Sequence, residues 1–368
     1  MPAYKPTASC IWNSFLNSNK KHIIITGARK IGKSTLLKEL FPTAIPGITT
    51  WAEPENAVYL KENTSGQISK VGTYDSTLEG LENKMRLIDD GFSILGIMAI
   101  KNAVQSNQKW ISIDEIGYLE SKCTDYLNML ENTMEKKHVA AVVRKQNLPH
   151  LKNICERKDV FLIDLDAPFG NTGCVIMASG LGKRFGENKL MTSFNNKPLI
   201  SHVLDTTSGI FKKRVVVTRH KNVAAFCESK GVNVLLHTLP YRSDTIRLGL
   251  ETLSDVEHCM FCTADQPLLS HDTVASLTLS ATNESMKILR PSFESIPGSP
   301  VIFPQWTFKE LLHLPEGQGG GYVIRQHIDY VQYLPISQCY ELEDIDTRED
   351  LIRLQELSKI IYTKKSWS

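Results

Sequence analysis

The sequence predicts two α/β domains in a chain of 368 residues. Short apolar runs typical of buried strands alternate with helical segments, a pattern that favours mainly parallel sheets covered by helices. Two of these runs, at residues 22–26 and 173–176, lead directly into glycine-rich loops. Residues 166–173 have the proline, glycine and asparagine content of an interdomain hinge. We therefore expect one domain at residues 1–168, a linker at residues 169–172 and a second domain at residues 173–368.

The composition narrows the classes of partner. The 42 Lys and Arg residues nearly balance the 40 Asp and Glu residues, which leaves a formal net charge of +2. Without a large basic excess, nucleic acid is not an expected partner. Apolar runs such as residues 94–100 are far shorter than the roughly 20 residues that a membrane-spanning helix needs. The N-terminus lacks the basic and apolar pattern of a signal peptide, so we expect a cytoplasmic protein without a membrane partner.

The 8 cysteines are scattered along the chain rather than spaced as a disulfide framework. Cys259 and Cys262 lie close together, but inside an apolar run, and no second pair follows at the spacing of a zinc site. We interpret this pair as part of a buried strand, because free cysteine is commonly a core residue.

The first glycine-rich loop, residues 27–35, has the Walker A pattern. It lies between a strand-like run and a helical run at residues 36–40, which is the setting that a P-loop requires. Glycine allows the backbone N–H groups to wrap around phosphates, while the lysine reaches the β and γ phosphates and the serine hydroxyl reaches Mg²⁺. The expected nucleotide-binding residues of this loop are Gly27, Gly32, Lys33, Ser34 and Thr35, with Ser34 also a metal ligand.

An acidic pair follows the apolar segment at residues 109–113. Asp114 would hold Mg²⁺ in the Walker B role, and Glu115, just past the strand end, would orient or deprotonate the attacking water as a catalytic residue. An Asp-Glu pair alone is commonly a solvated surface feature. The Walker A loop upstream favours the catalytic interpretation, because triphosphate hydrolysis requires both parts.

The run from Asp114 to Gly117, with Glu120 close behind and an amphipathic helix at residues 92–103, resembles the thermophile-type P-loop nucleoside-triphosphatases. The resemblance spans about residues 20–165 and implies a P-loop NTPase sheet. One departure is the presence of Arg29 and Lys30 inside a loop that is usually richer in glycine. The further elements expected in this half are strands at residues 139–143 and 160–163, a crossover helix at 148–154 and a short helix near 11–16.

The second glycine-rich loop occupies residues 177–189 and follows a buried strand, the place where α/β folds bind phosphates. Its glycines allow backbone N–H groups to approach an anionic oxygen, and Arg184 and Lys189 add cationic donors of two geometries. This composition suits a triphosphate. A flexible, solvated loop remains the alternative.

The chain resembles the MobA-like nucleotidyltransferases over about residues 173–355, and its branch with cytidylyltransferase activity most closely. The matching segments, in the order typical of the family, are Ala178-Ser179-Gly180, Arg184-Phe185-Gly186 with Lys189, Asn196–Ile200, Asp265–Leu268, Gly298–Val301, Gly319–Gly321 and Asp344–Asp350. The resemblance implies a Rossmann-like (GT-A-type) nucleotidyltransferase sheet. The alternation of apolar runs with helical segments independently predicts strands at residues 214–218, 232–236 and 259–264 in a doubly wound sheet. The resemblance also implies that Ala178, Ser179, Gly180, Gly182, Arg184 and Lys189 bind nucleotide and that Arg184, Lys189 and Asp265 take part in catalysis. Ser179 stands where the cytidylyl branch usually has alanine and the guanylyl branch glycine, so the base preference stays open at this point.

The same resemblance assigns Mg²⁺ binding to Asp265 and Asp346. Two hard oxygen ligands suit magnesium, and an attack on a nucleotide α-phosphate requires charge neutralisation. The alternative is that both aspartates cap helices, since Asp-Thr before Glu-Asp is a signal for a helix start.

The sequence thus predicts an enzyme that transfers CMP from CTP, or a nucleotide from another NTP, to a molybdopterin-type cofactor, beside a domain that binds and hydrolyses a nucleoside triphosphate. A molybdenum hydroxylase apoenzyme is the recipient implied by the family. Two alternatives stay open: a nucleotidyltransferase for sugar phosphates or other small phosphates, and a nucleotide-gated chaperone that delivers cofactor without turnover.

Overall fold

The computed structural model describes residues 4–78, 84–180, 182, 185, 188–253 and 255–365. The chain divides into two compact units, one formed by Ser18–Pro168 and the other by Met1–Asn17 together with Phe169–Ser368. We call them the P-loop unit and the C-terminal unit. Helix α1 (Ala8–Leu16) opens the described chain. Across the described segments, no helix combines the length and apolar content that crossing a membrane requires.

The P-loop unit contains one mixed sheet and its covering helices. Its strands are β1 (His22–Thr26), β2 (Gly47–Glu53), β3 (Ala57–Glu62), β4 (Ile68–Tyr74), β5 (Met85–Leu87), β6 (Trp110–Ile116), β7 (His138–Val143) and β8 (Val160–Asp164). Its helices are α2 (Lys33–Leu40), a π-helical segment (Gly91–Gly96) that runs into α3 (Ile97–Gln105), a 3-10 turn (Leu119–Lys122), α4 (Thr124–Lys136) and α5 (Pro149–Cys155).

The strand order in this sheet is β5-β4-β3-β2-β6-β7-β1-β8. Strands β2, β6, β7, β1 and β8 pair in parallel, as the sequence predicts for a P-loop domain, whereas β2 to β5 form an antiparallel extension that was not predicted. Strand β1 is buried along its whole length, and Ile23, Ile24 and Ile25 are fully inaccessible to solvent. The parallel part therefore fixes the carboxyl ends of β1 and β6 near one another, on either side of β7.

The C-terminal unit contains a second mixed sheet. Its strands are β9 (Thr172–Ala178), β10 (Ser193–Phe194), β11 (Lys197–Pro198), β12 (Lys213–Thr218), β13 (Asn233–Leu236), β14 (His258–Thr263), β15 (Ile288–Phe293), β16 (Ile296–Pro297), β17 (Val301–Pro304) and β18 (Val331–Pro335). Its further helices are α6 (Leu199–Thr206), α7 (Lys221–Ser229), α8 (Arg242–Thr252), α9 (His271–Asn283), α10 (Phe308–Leu312), α11 (Gly321–Gln326) and α12 (Arg348–Lys365), with 3-10 turns at Lys189–Met191, Gln305–Thr307, Ile328–Tyr330 and Cys339–Leu342.

The main sheet of this unit has the order β13-β12-β9-β14-β17-β15-β16, with β18 added beside β15. Strands β13, β12, β9 and β14 are parallel, so their carboxyl ends meet at one edge, where the second glycine-rich loop leaves β9. The pair Cys259 and Cys262 lies buried inside β14, as a strand interpretation requires. The two sheets with their helices confirm the predicted two-domain α/β fold.

Helix α1 packs in the C-terminal unit, although the sequence placed residues 1–168 together. The Ser14 hydroxyl donates to the Ser276 carbonyl in α9 over 2.9 Å, and the Tyr4 hydroxyl donates to Asp272 Oδ1 over 2.7 Å. Ile11 is fully buried by this packing. The partners are more than 260 residues away along the chain, so local sequence carried no signal of the contact. In chain order, the P-loop unit is thus inserted between α1 and β9.

The residues predicted as a linker, 169–172, are also part of the C-terminal unit. Phe169 is buried and stacks on Tyr4 at a ring-centroid distance of 6.1 Å, while Thr172 already begins β9. The composition of this stretch was typical of a hinge, but the apolar ring of Phe169 is covered by aromatic packing that the composition did not reveal.

Candidate functional sites

The Walker A loop connects β1 to α2 and is bent by two glycines with left-handed backbone. Gly27 has φ +139° and Gly32 has φ +106°, a region that side chains with a Cβ rarely adopt. Lys33 Nζ donates to the carbonyls of Gly27 over 2.9 Å and Ala28 over 2.8 Å. The ammonium therefore folds back over the loop, where carbonyl oxygens take the place that phosphate oxygens would have.

The structure brings the predicted metal ligands of this loop together. Ser34 Oγ donates to Asp114 Oδ1 over 2.7 Å. Burial raises the pKa of Asp114, and the Ser34 hydrogen bond acts in the opposite direction. A hydroxyl from the first turn of α2 and a carboxylate from β6, in contact with one another, are oxygen ligands that suit a divalent cation such as Mg²⁺. Thr35 lies next to them along the same cleft.

Glu115 lies at an irregularity in β6. The register with β7 shifts between Asp114, which pairs with Val142, and Ile116, which pairs with Val143, so Glu115 has no partner in that ladder. A bulge of this kind re-aims a side chain. Thr50 supports it, because its hydroxyl donates to the carbonyls of Asp114 and Glu115, both over 3.1 Å. The Glu115 side chain consequently lines the cleft of the Walker A loop, a space of about 610 Å³.

Glu120 is buried and lines a small cavity that shares Thr50 and Glu115 with this cleft. Its Oε2 accepts from the Gly117 N–H over 3.0 Å, which holds the turn after β6. Burial raises the pKa of Glu120 to about 7, and its backbone hydrogen bonds oppose that shift. The side chain thus acts on the site by positioning the residues that follow Glu115.

The second candidate site lies at the carboxyl ends of β9 and β14. It is a cavity of about 370 Å³, lined among others by Ala178, Ser179, Gly180, Lys189, Asp265 and Asp346. Gly182 follows with φ +59°. Arg184, predicted as a triphosphate ligand and catalytic residue, lies outside the residues that the structure describes.

Lys189 joins the two predicted metal ligands. Its Nζ lies 2.7 Å from Asp265 Oδ2 and 2.9 Å from Asp346 Oδ1, and it also donates to the Ile345 carbonyl over 2.6 Å. Burial lowers the pKa of Lys189, but the charges and hydrogen bonds of the two aspartates outweigh it, so that the net pKa is raised. The ammonium therefore neutralises two carboxylates that would otherwise face one another in a partly buried site.

A third carboxylate, Asp344, was not predicted as a site residue. It lines the same cavity, and burial, followed by the charges of Asp265 and Asp346, raises its pKa to about 6. Asp265 Oδ1 is buried without a hydrogen-bond partner among the described residues. No preassembled group of three or more His, Cys, Asp or Glu ligands occurs in the part of the chain described here. The aspartates thus fit a hard cation whose remaining ligands come from a bound triphosphate and water.

Neither aspartate caps a helix. Ser270 caps α9, with its hydroxyl accepting from the Thr273 N–H over 3.0 Å. Thr347 caps α12, because its hydroxyl accepts from the Asp350 N–H over 3.1 Å while Asp350 Oδ2 accepts from the Thr347 N–H over 2.9 Å. The helix-start pattern in the sequence does mark the start of α12. The capping residue is Thr347, whereas the Asp346 carboxylate pairs with Lys189.

Arg219 fixes the backbone of the second glycine-rich loop. Its Nε and Nη2 both donate to the Ser179 carbonyl, over 3.0 and 2.6 Å. The Ser179 hydroxyl is itself occupied, since it donates to the Val217 carbonyl over 3.1 Å and lies 2.8 Å from His237 Nε2. Ser179 thus shapes the loop through protein contacts.

Comparison with known proteins identifies both halves. A MobA-like NTP transferase domain model matches residues 174–331, and an NTPase model matches residues 48–168. The chain contains a MobA-like NTP transferase domain and an NTPase domain. This confirms the two resemblances, in the predicted order. The NTPase match begins downstream of the Walker A loop.

The relatives divide along the same boundary. A probable molybdenum cofactor guanylyltransferase of Aquifex aeolicus is 22% identical over 49% of this chain and 89% of its own length. The nucleoside-triphosphatase THEP1 of Thermotoga maritima is 24% identical over 39% of this chain and 86% of its own length. A solved nucleotidyl transferase from Methanothermobacter thermautotroptrophicus is 18% identical, covering 50% of this chain and 96% of that one, at a TM-score of 0.42.

The transferase domain has a second cavity, of about 310 Å³, beside the first. The two share Met177 and Arg242 as lining residues. The second cavity is walled mainly by apolar and aromatic side chains such as Phe261 and Phe303, and it is bounded by the predicted glycine run at 319–321. Arg242, the first residue of α8, therefore lies between a polar and an apolar compartment.

Proposed function

We propose that the transferase domain transfers CMP from CTP to the phosphate of a molybdopterin-type cofactor and releases pyrophosphate. The observation that carries this proposal is the cluster of Lys189, Asp265 and Asp346, which meets the glycine loop at the carboxyl edge of the sheet. The family match and the relative of Aquifex aeolicus support a nucleotidyl transfer in molybdenum cofactor maturation. A molybdenum hydroxylase apoenzyme is the proposed recipient of the product.

The proposed reaction is an in-line displacement without a covalent enzyme intermediate. An oxygen of the acceptor phosphate attacks the α-phosphorus of the nucleotide, and the bond from that phosphorus to the β-phosphate oxygen breaks, so the electron pair leaves with pyrophosphate. Lys189 binds the triphosphate together with Arg184 and the backbone N–H groups of Gly180 and Gly182. Asp265 and Asp346 would hold Mg²⁺, which supplies neutralising charge between the two anionic reactants.

The second cavity is the proposed acceptor site. Its aromatic and apolar walls suit a flat heterocycle, and Arg242 at the boundary with the nucleotide cavity suits the acceptor phosphate. This arrangement would place the acceptor phosphate next to the nucleotide cavity.

The choice of CTP over other nucleotides is the most specific part of this proposal. The relative of Aquifex aeolicus is named for guanylyl transfer, while Ser179 matches neither branch of the family. Because its hydroxyl contacts Val217 and His237, Ser179 would influence the base through the position of the loop.

The NTPase domain is proposed to hydrolyse a nucleoside triphosphate. Gly27, Gly32, Lys33 and Thr35 would hold the phosphates, and Ser34 and Asp114 would hold Mg²⁺. Glu115 would take the proton of the attacking water. Two observations support this assignment: Ser34 contacts Asp114, and Glu115 lines the cleft of the Walker A loop.

One experiment tests the transfer reaction and its alternatives. Purified full-length protein with Mg²⁺ is incubated with CTP, GTP, ATP or UTP and either a molybdopterin-type cofactor or a panel of sugar phosphates, and products are identified by mass. The proposal predicts a cytosine dinucleotide of the cofactor and an equal amount of pyrophosphate. A guanine product would correct the base alone, a nucleotide sugar would establish the other transferase, and cofactor binding without any product would favour the chaperone.

A further inference from the structure

Arg144 is a basic residue of the NTPase cleft that the Walker motifs do not include. It follows β7 directly, and its N–H donates to the Ile116 carbonyl over 2.9 Å, which anchors its backbone beside the end of β6. Its side chain lines the cleft of the Walker A loop and also a smaller adjoining cavity of about 30 Å³. That smaller space is enough for a water molecule.

The guanidinium of Arg144 is paired with the proposed general base. Its Nε contacts Glu115 Oε1, and both side chains are largely withdrawn from solvent, at 19% and 27% exposure. The stem of Arg144 passes close to Gly117, where a Cβ would come within 3.0 Å of its Cδ, and its Cζ lies 6.0 Å from the centroid of the Tyr118 ring. The glycine thus leaves the space in which the arginine reaches the carboxylate. The guanidinium therefore competes with water for this carboxylate, because it is a charged donor in contact with one of the two carboxylate oxygens.

A second observation places the charge of Arg144 near the phosphate position. Arg144 and Lys33 both line the cleft of the Walker A loop, a space of about 610 Å³. Lys33 begins α2 and Arg144 follows β7, so two cations from different elements line the same space. Arg144 is paired with Glu115 and Lys33 with two loop carbonyls, and both can exchange these partners for phosphate oxygens, which a guanidinium binds in the bidentate geometry that it uses for carboxylates.

We propose that Arg144 is a triphosphate-responsive switch that holds Glu115 in an ion pair in the nucleotide-free protein and transfers to the terminal phosphate when a triphosphate binds. The transfer frees Glu115 to accept a proton from water in the small cavity. The water oxygen then bonds to the γ-phosphorus, the bond from that phosphorus to the β–γ bridging oxygen breaks, and the diphosphate and orthophosphate leave. This inference rests on the proposed triphosphatase function.

The test measures orthophosphate release by the full-length protein in the absence of any acceptor, so that the transferase domain does not contribute. The variants are Arg144→Ala and Arg144→Lys, with Arg86→Ala as the control, because Arg86 is an exposed arginine of the same domain that pairs with Asp75. For each protein, kcat and KM are obtained for the preferred triphosphate. The corresponding diphosphate is used as a competitive inhibitor to obtain its inhibition constant.

The switch predicts that Arg144→Ala lowers kcat about a thousandfold, the scale on which an arginine stabilises a transferring phosphoryl group. It also predicts a KM raised roughly tenfold, the scale of one phosphate contact, with an unchanged inhibition constant for the diphosphate, which lacks the phosphate that Arg144 binds. Arg144→Lys should recover part of kcat, and Arg86→Ala should match the wild type. A kcat within twofold of wild type, or an equal loss of affinity for both nucleotides, would overturn the switch. Wild-type protein that releases no orthophosphate, or that releases as much after Lys33→Ala, would instead refute the triphosphatase function itself.

Discussion

The proposed transfer site is defined at the scale of single residues by one ammonium among three carboxylates. Lys189 contacts Asp265 and Asp346 directly, and Asp344 has a pKa raised to about 6 because it is buried near the same two charges. An arrangement with excess negative charge is costly in the absence of a cation. This cluster therefore suits a site at which a metal ion replaces Lys189 beside the carboxylates and Lys189 moves to a triphosphate, rather than a cluster that only stabilises the fold.

At the residue scale, Glu120 predicts that the free energy of unfolding depends on pH. Since its folded-state pKa is raised from 4.5 to about 7, the folded protein binds this proton more tightly than the unfolded chain does. Its contribution to stability is fully present below about pH 4.5 and is lost as the pH rises through about 7. We expect a loss of about 3 kcal/mol across that range, which Glu120→Gln should abolish because glutamine does not ionise.

The measurement is urea-induced unfolding of the full-length protein between about pH 4.5 and pH 8. Pulsed hydrogen exchange on peptides from β6 assigns the transition to the NTPase domain. Glu131→Gln, an exposed position on α4, should keep the wild-type dependence on pH. Equal slopes in wild type and Glu120→Gln would show that Glu120 does not carry the predicted proton.

At the scale of elements, the location of helix α1 changes the domain boundaries, because α1 belongs to the C-terminal unit. It completes the transferase domain from the other end of the chain, where it covers the small side chains of α9. Both chain connections of the NTPase domain therefore lead into the transferase domain.

Replacement of Ile11 tests this role. Ile11 is fully buried in the transferase domain, so Ile11→Ala should destabilise that domain by about 2–5 kcal/mol through lost burial and a residual cavity. Leu16→Ala on the same helix should change stability little, because Leu16 is 71% exposed. Hydrogen exchange on peptides from α9 and β1 reports the two domains separately. If Ile11→Ala destabilised β1 rather than α9, the assignment of α1 would be wrong.

The elements that could be predicted are those whose signal is local. Buried parallel strands such as β1 and β14 are continuous apolar runs, and the Walker A loop has a fixed pattern between a strand and a helix. Strands β2 to β5 escaped prediction because their exposed antiparallel surface mixes polar and apolar residues. Arg144 escaped because an isolated charged residue acquires its role only from neighbours that folding brings together. Asp344 belongs to the matching segment Asp344–Asp350, but its burial beside Asp265 and Asp346 is set by folding.

At the scale of the whole molecule, two separate phosphate chemistries are proposed for the two domains. In this proposal, the NTPase domain cleaves between the β and γ phosphates, and the transferase domain cleaves between the α and β phosphates. The two sets of proposed ligands share no residue, and each set is contained within its own compact unit. A substitution in one domain should therefore leave the chemistry of the other largely intact.

The most direct test follows pyrophosphate and orthophosphate in the same reaction, with a triphosphate, Mg²⁺ and the molybdopterin-type acceptor present. Asp265→Asn should lower acceptor-dependent pyrophosphate release by about two to four orders of magnitude, the scale of lost metal-based charge stabilisation, while orthophosphate release continues. Lys33→Ala should do the reverse, and Asp205→Asn, an exposed partner of Lys197, should change neither. Near-normal pyrophosphate release by a folded Asp265→Asn protein would contradict the central claim that this carboxylate serves nucleotidyl transfer.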